Sequence, residues 1–103
     1  MILDTVKSIN DVLIRLTDER WYEHILVDHP YMSGYYQAVL DAIYYPEFIL
    51  RGQKGAKIAI LNVGRDRWLR VLYREINKND GFIITAYIAD EFDENLIIWK
   101  RDN

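Results

Sequence analysis

The side chains with chemistry to offer are two histidines, His24 and His29, and a set of arginines, hydroxyls and phenols gathered in the second half of the chain. There is no cysteine, which excludes disulfides, thiolate nucleophiles and cysteine-ligated zinc together. On a helix His24 and His29 project about 140° apart, and Glu23-His24 lacks the second histidine of a zinc-protease helix. Asp90, Glu91, Asp93 and Glu94 have neither the alternating spacing nor the glycine of a calcium loop, and they read as solvated surface. No phosphate-binding glycine loop, dinucleotide fingerprint or nucleophile elbow occurs. Neither a metal nor a cofactor is expected.

What remains suits phosphodiester chemistry. An RNA 2′-hydroxyl attacks its own phosphate when a base removes its proton and cations hold the charge of the phosphorane. An imidazole can be that base, and guanidinium stays charged and donates in a planar fork. Thr and Tyr hydroxyls can orient a phosphate, and Tyr or Trp can stack on a base. Each residue also has an ordinary reading. His24 is then a flank residue of a helix, His29 a helix C-terminal residue suited to the negative pole, and the arginines a solvated sheet face.

Charge is unevenly spread. The chain of 103 residues carries a net −3, but residues 51–78 hold eight Lys/Arg against two Asp/Glu. Residues 1–50 hold three against eight, and residues 79–103 two against six. A basic middle inside an acidic chain marks a local surface to be located in space. Half the residues are hydrophobic, which excludes disorder, and no apolar run nears the ~18 residues of a membrane-spanning helix. The start, Met1-Ile2-Leu3-Asp4, lacks the basic and apolar regions of a signal peptide. One domain over 1–103 in the cytoplasm is expected, with no membrane partner.

These candidates must be positioned by the following elements. Val12–Leu16 is a short β-prone run, and Thr17 caps a helix from Asp18 to about Asp28, which Pro30 ends. Trp21, Tyr22, Ile25 and Leu26 form its apolar stripe, with His24 at the stripe's edge. A second helix starts at Ser33-Gly34, buries Tyr35, Tyr36, Val39, Leu40 and Ile43, and ends at Pro46. From there the period becomes two: Glu47–Arg51, Lys57–Val63, Trp68–Ile76, Phe82–Ile88 and Leu96–Lys100 read as strands. The expected fold is α+β, with two N-terminal helices packed on one face of an antiparallel β-meander of four to five strands. Alternation sets Phe82, Ile84, Ala86 and Ile88 toward the helices. It sets Arg70 and Arg74 on the outer face with Ile83, Thr85 and Tyr87.

Ile14-Arg15-Leu16-Thr17-x-Glu19-Arg20-Trp21-x-x-His24-Ile25-x-x-x-His29-Pro30, then Tyr45-Pro46-Glu47, then Ile84-Thr85-Ala86-Tyr87, resembles the phage-associated branch of the barnase/EndoU/colicin/RelE-like (BECR) nuclease superfamily. The likeness spans about residues 12–88. It implies a single BECR-like nuclease domain: N-terminal helices on a curved antiparallel sheet and a metal-independent, toxin- or phage-related endoribonuclease site on the exposed face. By that likeness His24 is the general acid/base. By it Arg74 stabilises the phosphate, Thr85 and Tyr87 position it, and Arg51 matches a basic position on the first strand. Arg70, which shares the outer face with Arg74, and Trp68, which can stack on a base, complete the expected substrate-binding set. RNA is the implied partner, and a cognate inhibitor protein is admitted. Tyr31 departs from the Glu the pattern suggests, and the pI near 5.3 departs from the basic character of many such toxins. The alternative is a non-catalytic module that binds nucleic acid or protein on the same fold.

Overall fold

The computed structural model describes residues 1–102. Seven strands form one sheet: β1 Ile2–Lys7, β2 Leu13–Thr17, β3 Phe48–Arg51, β4 Lys57–Gly64, β5 Arg67–Asn77, β6 Asp80–Ala89 and β7 Ile97–Lys100. Their order is β1-β2-β6-β5-β4-β3-β7. Two helices lie between β2 and β3. The first, α1, is wound as a π-helix over Glu19–Ile25 and closes with one α-turn, Leu26–Asp28. A 3₁₀ segment, Pro30–Tyr35, leads into α2, Tyr36–Tyr44. None of these helices is long and apolar enough to cross a membrane.

The domain is α+β, but the expectation of two N-terminal helices on a four-to-five-strand meander is overturned. The chain begins with a β-hairpin, so the helices sit mid-chain, and the sheet is mixed and seven-stranded. β3 to β6 do run as an antiparallel meander. At one end β2 adds in parallel to β6, through Ile14 opposite Gly81 and Arg15 opposite Phe82. At the other, β7 returns to pair with β3.

Local chemistry explains the helix ends. The Thr17 hydroxyl accepts from the Arg20 N–H at 3.2 Å, and the Asp18 carboxylate accepts from the Glu19 N–H at 2.9 Å. The same carboxylate holds the chain's N-terminal ammonium at 3.0 Å. That bond, with the Glu19 N–H, keeps the Asp18 carboxyl below the usual range. The Leu26 N–H reaches back five residues to the Trp21 carbonyl, so α1 is wider than an α-helix. Only Trp21 and Ile25 of its stripe are fully buried, and Tyr22 is exposed.

Both faces of the sheet carry a core. The helices cover Ile14, Leu16, Leu69, Val71, Tyr73 and Ala86 on one side. Full burial of such side chains stabilises by about 1.5–3 kcal/mol each. On the outer side Leu50, Ile58 and Ile60 lie under Phe92, Leu96 and Ile97. The segment from Asp90 to Leu96 therefore crosses the outer face as a strap on its way from β6 to the far edge.

Register corrects one expectation. Leu72 pairs with Thr85 and Tyr73 with Ile83, so Ile84 is an extra residue, a β-bulge. The bulge turns Ile83 into the helix-side core and leaves Phe82 opposite Arg74 and Ile84 facing outward.

A polar cluster ties the opening hairpin to the meander. Glu75 on β5 accepts from Lys57 Nζ, from the Ser8 hydroxyl and from Asn10 Nδ2, the last at 3.0 Å. Partial burial opposes the charge, but these donors together outweigh it and hold the Glu75 carboxyl below the usual range. Above the ordinary glutamate pKa of about 4.3 the folded chain thus has a stabilising carboxylate. That contribution is lost as pH falls from there through the lower folded value. Glu75→Gln should cost about 2 kcal/mol at neutral pH and flatten the acid limb of stability, as read from denaturant midpoints at stepped pH.

Candidate active groove on the outer sheet face

The turn after β3 brings the first cation into place. Gly52 and Ala56 close it through a 2.9 Å bond from the Gly52 N–H to the Ala56 carbonyl. Lys54 and Gly55 take positive φ of 53° and 81° inside it. Beside this turn lies a groove of about 620 Å³ whose walls include Arg51, Lys54, Arg70 and Arg74. Ile58, Leu72 and Ile84 supply apolar lining, and none of the groove's lining residues is acidic. Among the described residues, Arg51, Arg70 and Arg74 make no ion pair.

Arg70 is the pivotal member. Its guanidinium carbon lies 5.6 Å from the centre of the Tyr87 ring, the residue it faces across β5 and β6. Its Nε is enclosed without a hydrogen-bond partner, so an anion in the groove would meet the residue through the rest of its guanidinium. Across the strand from Leu72, Thr85 also faces this side, half-buried.

The imidazole at this site is a correction. His24 is exposed on α1, and among the described residues no hydrogen bond, ion pair or ring contact joins it to Arg74, Thr85 or Tyr87. His29, in contrast, touches one of the expected site residues, Tyr87. Pro30 stops α1 and leaves His29 extended, at φ −137° and ψ 74°. Its ring stacks on Tyr87 at 5.3 Å with 29° between planes. Tyr31, 5.9 Å from His29, accepts the Ile88 N–H at 3.0 Å, so α1's end is pinned to β6 beyond the short β2 pairing. His29, Tyr87 and Arg70 thus form one row.

Trp68 is the other correction. It lies edge-to-face with Phe92 of the strap at 5.0 Å and tilted against Phe48 of β3 at 6.2 Å, so part of the ring expected to stack on a base is packed against the outer core. Neither Tyr31's contact nor the strap had a local signature in the sequence, whereas Pro30 after His29 did signal a displaced imidazole. Among the described residues no group of three or more His, Asp or Glu side chains is placed to hold a metal ion. No protein-family model, curated protein or solved structure matches the chain, and its own residues carry the functional reading.

Proposed function

We propose that the outer groove binds the phosphate backbone of single-stranded RNA. The observation that carries this reading is the convergence of Arg51, Lys54, Arg70 and Arg74 on one acid-free groove in a chain of net charge −3. Apolar lining beside guanidinium groups suits a nucleotide, whose base is flat and apolar on its faces and whose phosphate is an oxyanion. The BECR resemblance points to the same partner, and a cysteine-free chain suits the reducing cytoplasm where this reading places it.

Binding of a short single-stranded RNA should weaken as salt rises, with log K falling by about 0.7 per phosphate neutralised for each decade of salt. Arg74→Ala should weaken binding about tenfold, the order of one charged hydrogen bond, and flatten that slope by about one phosphate's worth. Affinity indifferent to both salt and Arg74 would place the ligand elsewhere.

The His29–Tyr87–Arg70 row favours a second reading, a ribonuclease that works without a metal. In it the 2′-oxygen bonds to phosphorus as the bond from phosphorus to the 5′-oxygen breaks, leaving a 2′,3′-cyclic phosphate. His29 takes the 2′-hydroxyl proton, the departing 5′-oxygen gains one from water, and Arg70 with Arg74 holds the phosphorane charge. Thr85 and Tyr87 stay in the supporting roles the resemblance gives them.

A further inference from the structure

Arg70 has two neighbourhoods of opposite charge. On one side it lines the arginine groove; on the other it lines a second hollow, of about 560 Å³, with Glu91, Asp93 and Glu94 of the strap. All three acids are exposed, and among the described residues none forms an ion pair with Arg70. The strap is fixed rather than loose: Phe92 packs on Phe48 at 5.2 Å and on Trp68, and Leu96 lies in the outer core. Its carboxylates therefore project from an anchored ridge alongside the one cation that both hollows share.

Resting on the RNA-binding reading above, we propose that this acidic ridge makes the groove selective for single strands over duplexes. One backbone can follow the groove between the Gly52–Ala56 turn and the ridge, meeting arginines throughout. The groove's volume falls in the range of about 300–1,000 Å³ of small-molecule pockets, which suits a nucleotide-sized stretch. A duplex is rigid and carries a second row of phosphates. Seated on the same arginines, of which Arg70 also borders the strap's carboxylates, it brings more phosphate charge toward the strap than one strand does, and charges act across roughly 8 Å at physiological salt. Like charges there cost binding, and they cost the duplex more than the strand that can bend away.

The test compares a short RNA strand with the duplex it forms with its complement, by fluorescence anisotropy, on wild type and on the triple variant Glu91→Gln, Asp93→Asn, Glu94→Gln. Asparagine keeps the oxygen with which Asp93 accepts the Asn95 N–H, so the strap's turn is preserved. A thermal melt confirms the fold of the variant. Wild type should prefer the strand by at least about tenfold, and the variant should narrow that ratio to about threefold or less, mainly by gaining duplex affinity. An unchanged ratio in a folded variant, with strand binding still lost on Arg74→Ala, overturns the ridge's role and leaves the groove intact. Failure of wild type to bind either RNA overturns the groove reading itself, and the ridge's role with it.

Discussion

Gly81→Ala should cost about 3 kcal/mol and lower the melting temperature by about 12–24 °C for a domain of this size. Gly81 sits where three strands meet, opposite Ile14 on β2 and Glu75 on β5. A Cβ there would lie 2.4 Å from the Arg74 carbonyl oxygen and 2.6 Å from Ile14 Cδ1. The first of these is backbone inside a paired strand, so it cannot rotate away as a side chain would. Relief has to come from parting β6 from β5 or from β2, and the β2 pairing is only two residues long. Against a total stability of roughly 5–15 kcal/mol this is a large fraction. Gly34→Ala is the matched control, since an added Cβ there meets nothing within 4 Å. Equal melting of the two variants would refute the close approach of β2, β5 and β6.

On the ribonuclease reading, loss of the His29 imidazole should reduce RNA cleavage by roughly 10²–10⁴-fold in EDTA, the usual contribution of a general acid or base. His24→Ala should leave cleavage at the wild-type level, because that side chain is exposed and, among the described residues, makes no hydrogen bond, ion pair or ring contact with Arg74, Thr85 or Tyr87. His29→Ala also removes a ring stacked on Tyr87, worth about 0.5–1.5 kcal/mol. His29→Phe separates the two effects: it keeps the stacking and removes the proton. Cleavage restored by Phe would make His29 a packing residue. Wild type that binds RNA and leaves it intact would make binding the whole function.

The sequence was most readable where an element buries one face. Val39, Leu40 and Ile43 of α2 follow the helical period because one side of that helix meets the core. Leu69, Val71 and Tyr73 of β5 follow the strand period for the same reason. β1 escaped because it is an edge strand, mostly exposed, with an irregularity between Ile2 and Asp4 that breaks any period. The neighbour of β2 was hidden because a parallel pair has no connecting turn to read. Bulging at Ile84 exchanged Phe82 and Ile83 between faces, a one-residue event with no mark in composition.

The site divided along the same line. Arg70 and Arg74 follow from alternation on β5, and Arg51 reaches them through the Gly52–Ala56 turn. The histidine did not follow, because angular reasoning on a regular helix fails where α1 is wound wider and ends at Pro30. Trp68 failed for a different reason. Its availability depends on where the chain goes after β6, and that route is set by β7 pairing with β3.

The parallel contact between β2 and β6 also sets how late in synthesis the sheet can be completed. Arg15 and Asp80, held by two bonds of 2.9 and 3.1 Å, stand 65 residues apart in the chain. During synthesis the opening hairpin emerges first, yet its neighbour in the sheet does not exist until β6 has left the ribosome. At about 5–20 residues per second that is an interval of several seconds. Through it the apolar face of β2, with Ile14 and Leu16, has only β1 and the nascent helices to cover it. Sheets closed by such distant pairs belong to the slower, millisecond-to-second folders. The exposed Lys7 and Asp11 just before β2 are charges of the kind that disfavour pairing of a waiting hairpin with another copy of itself.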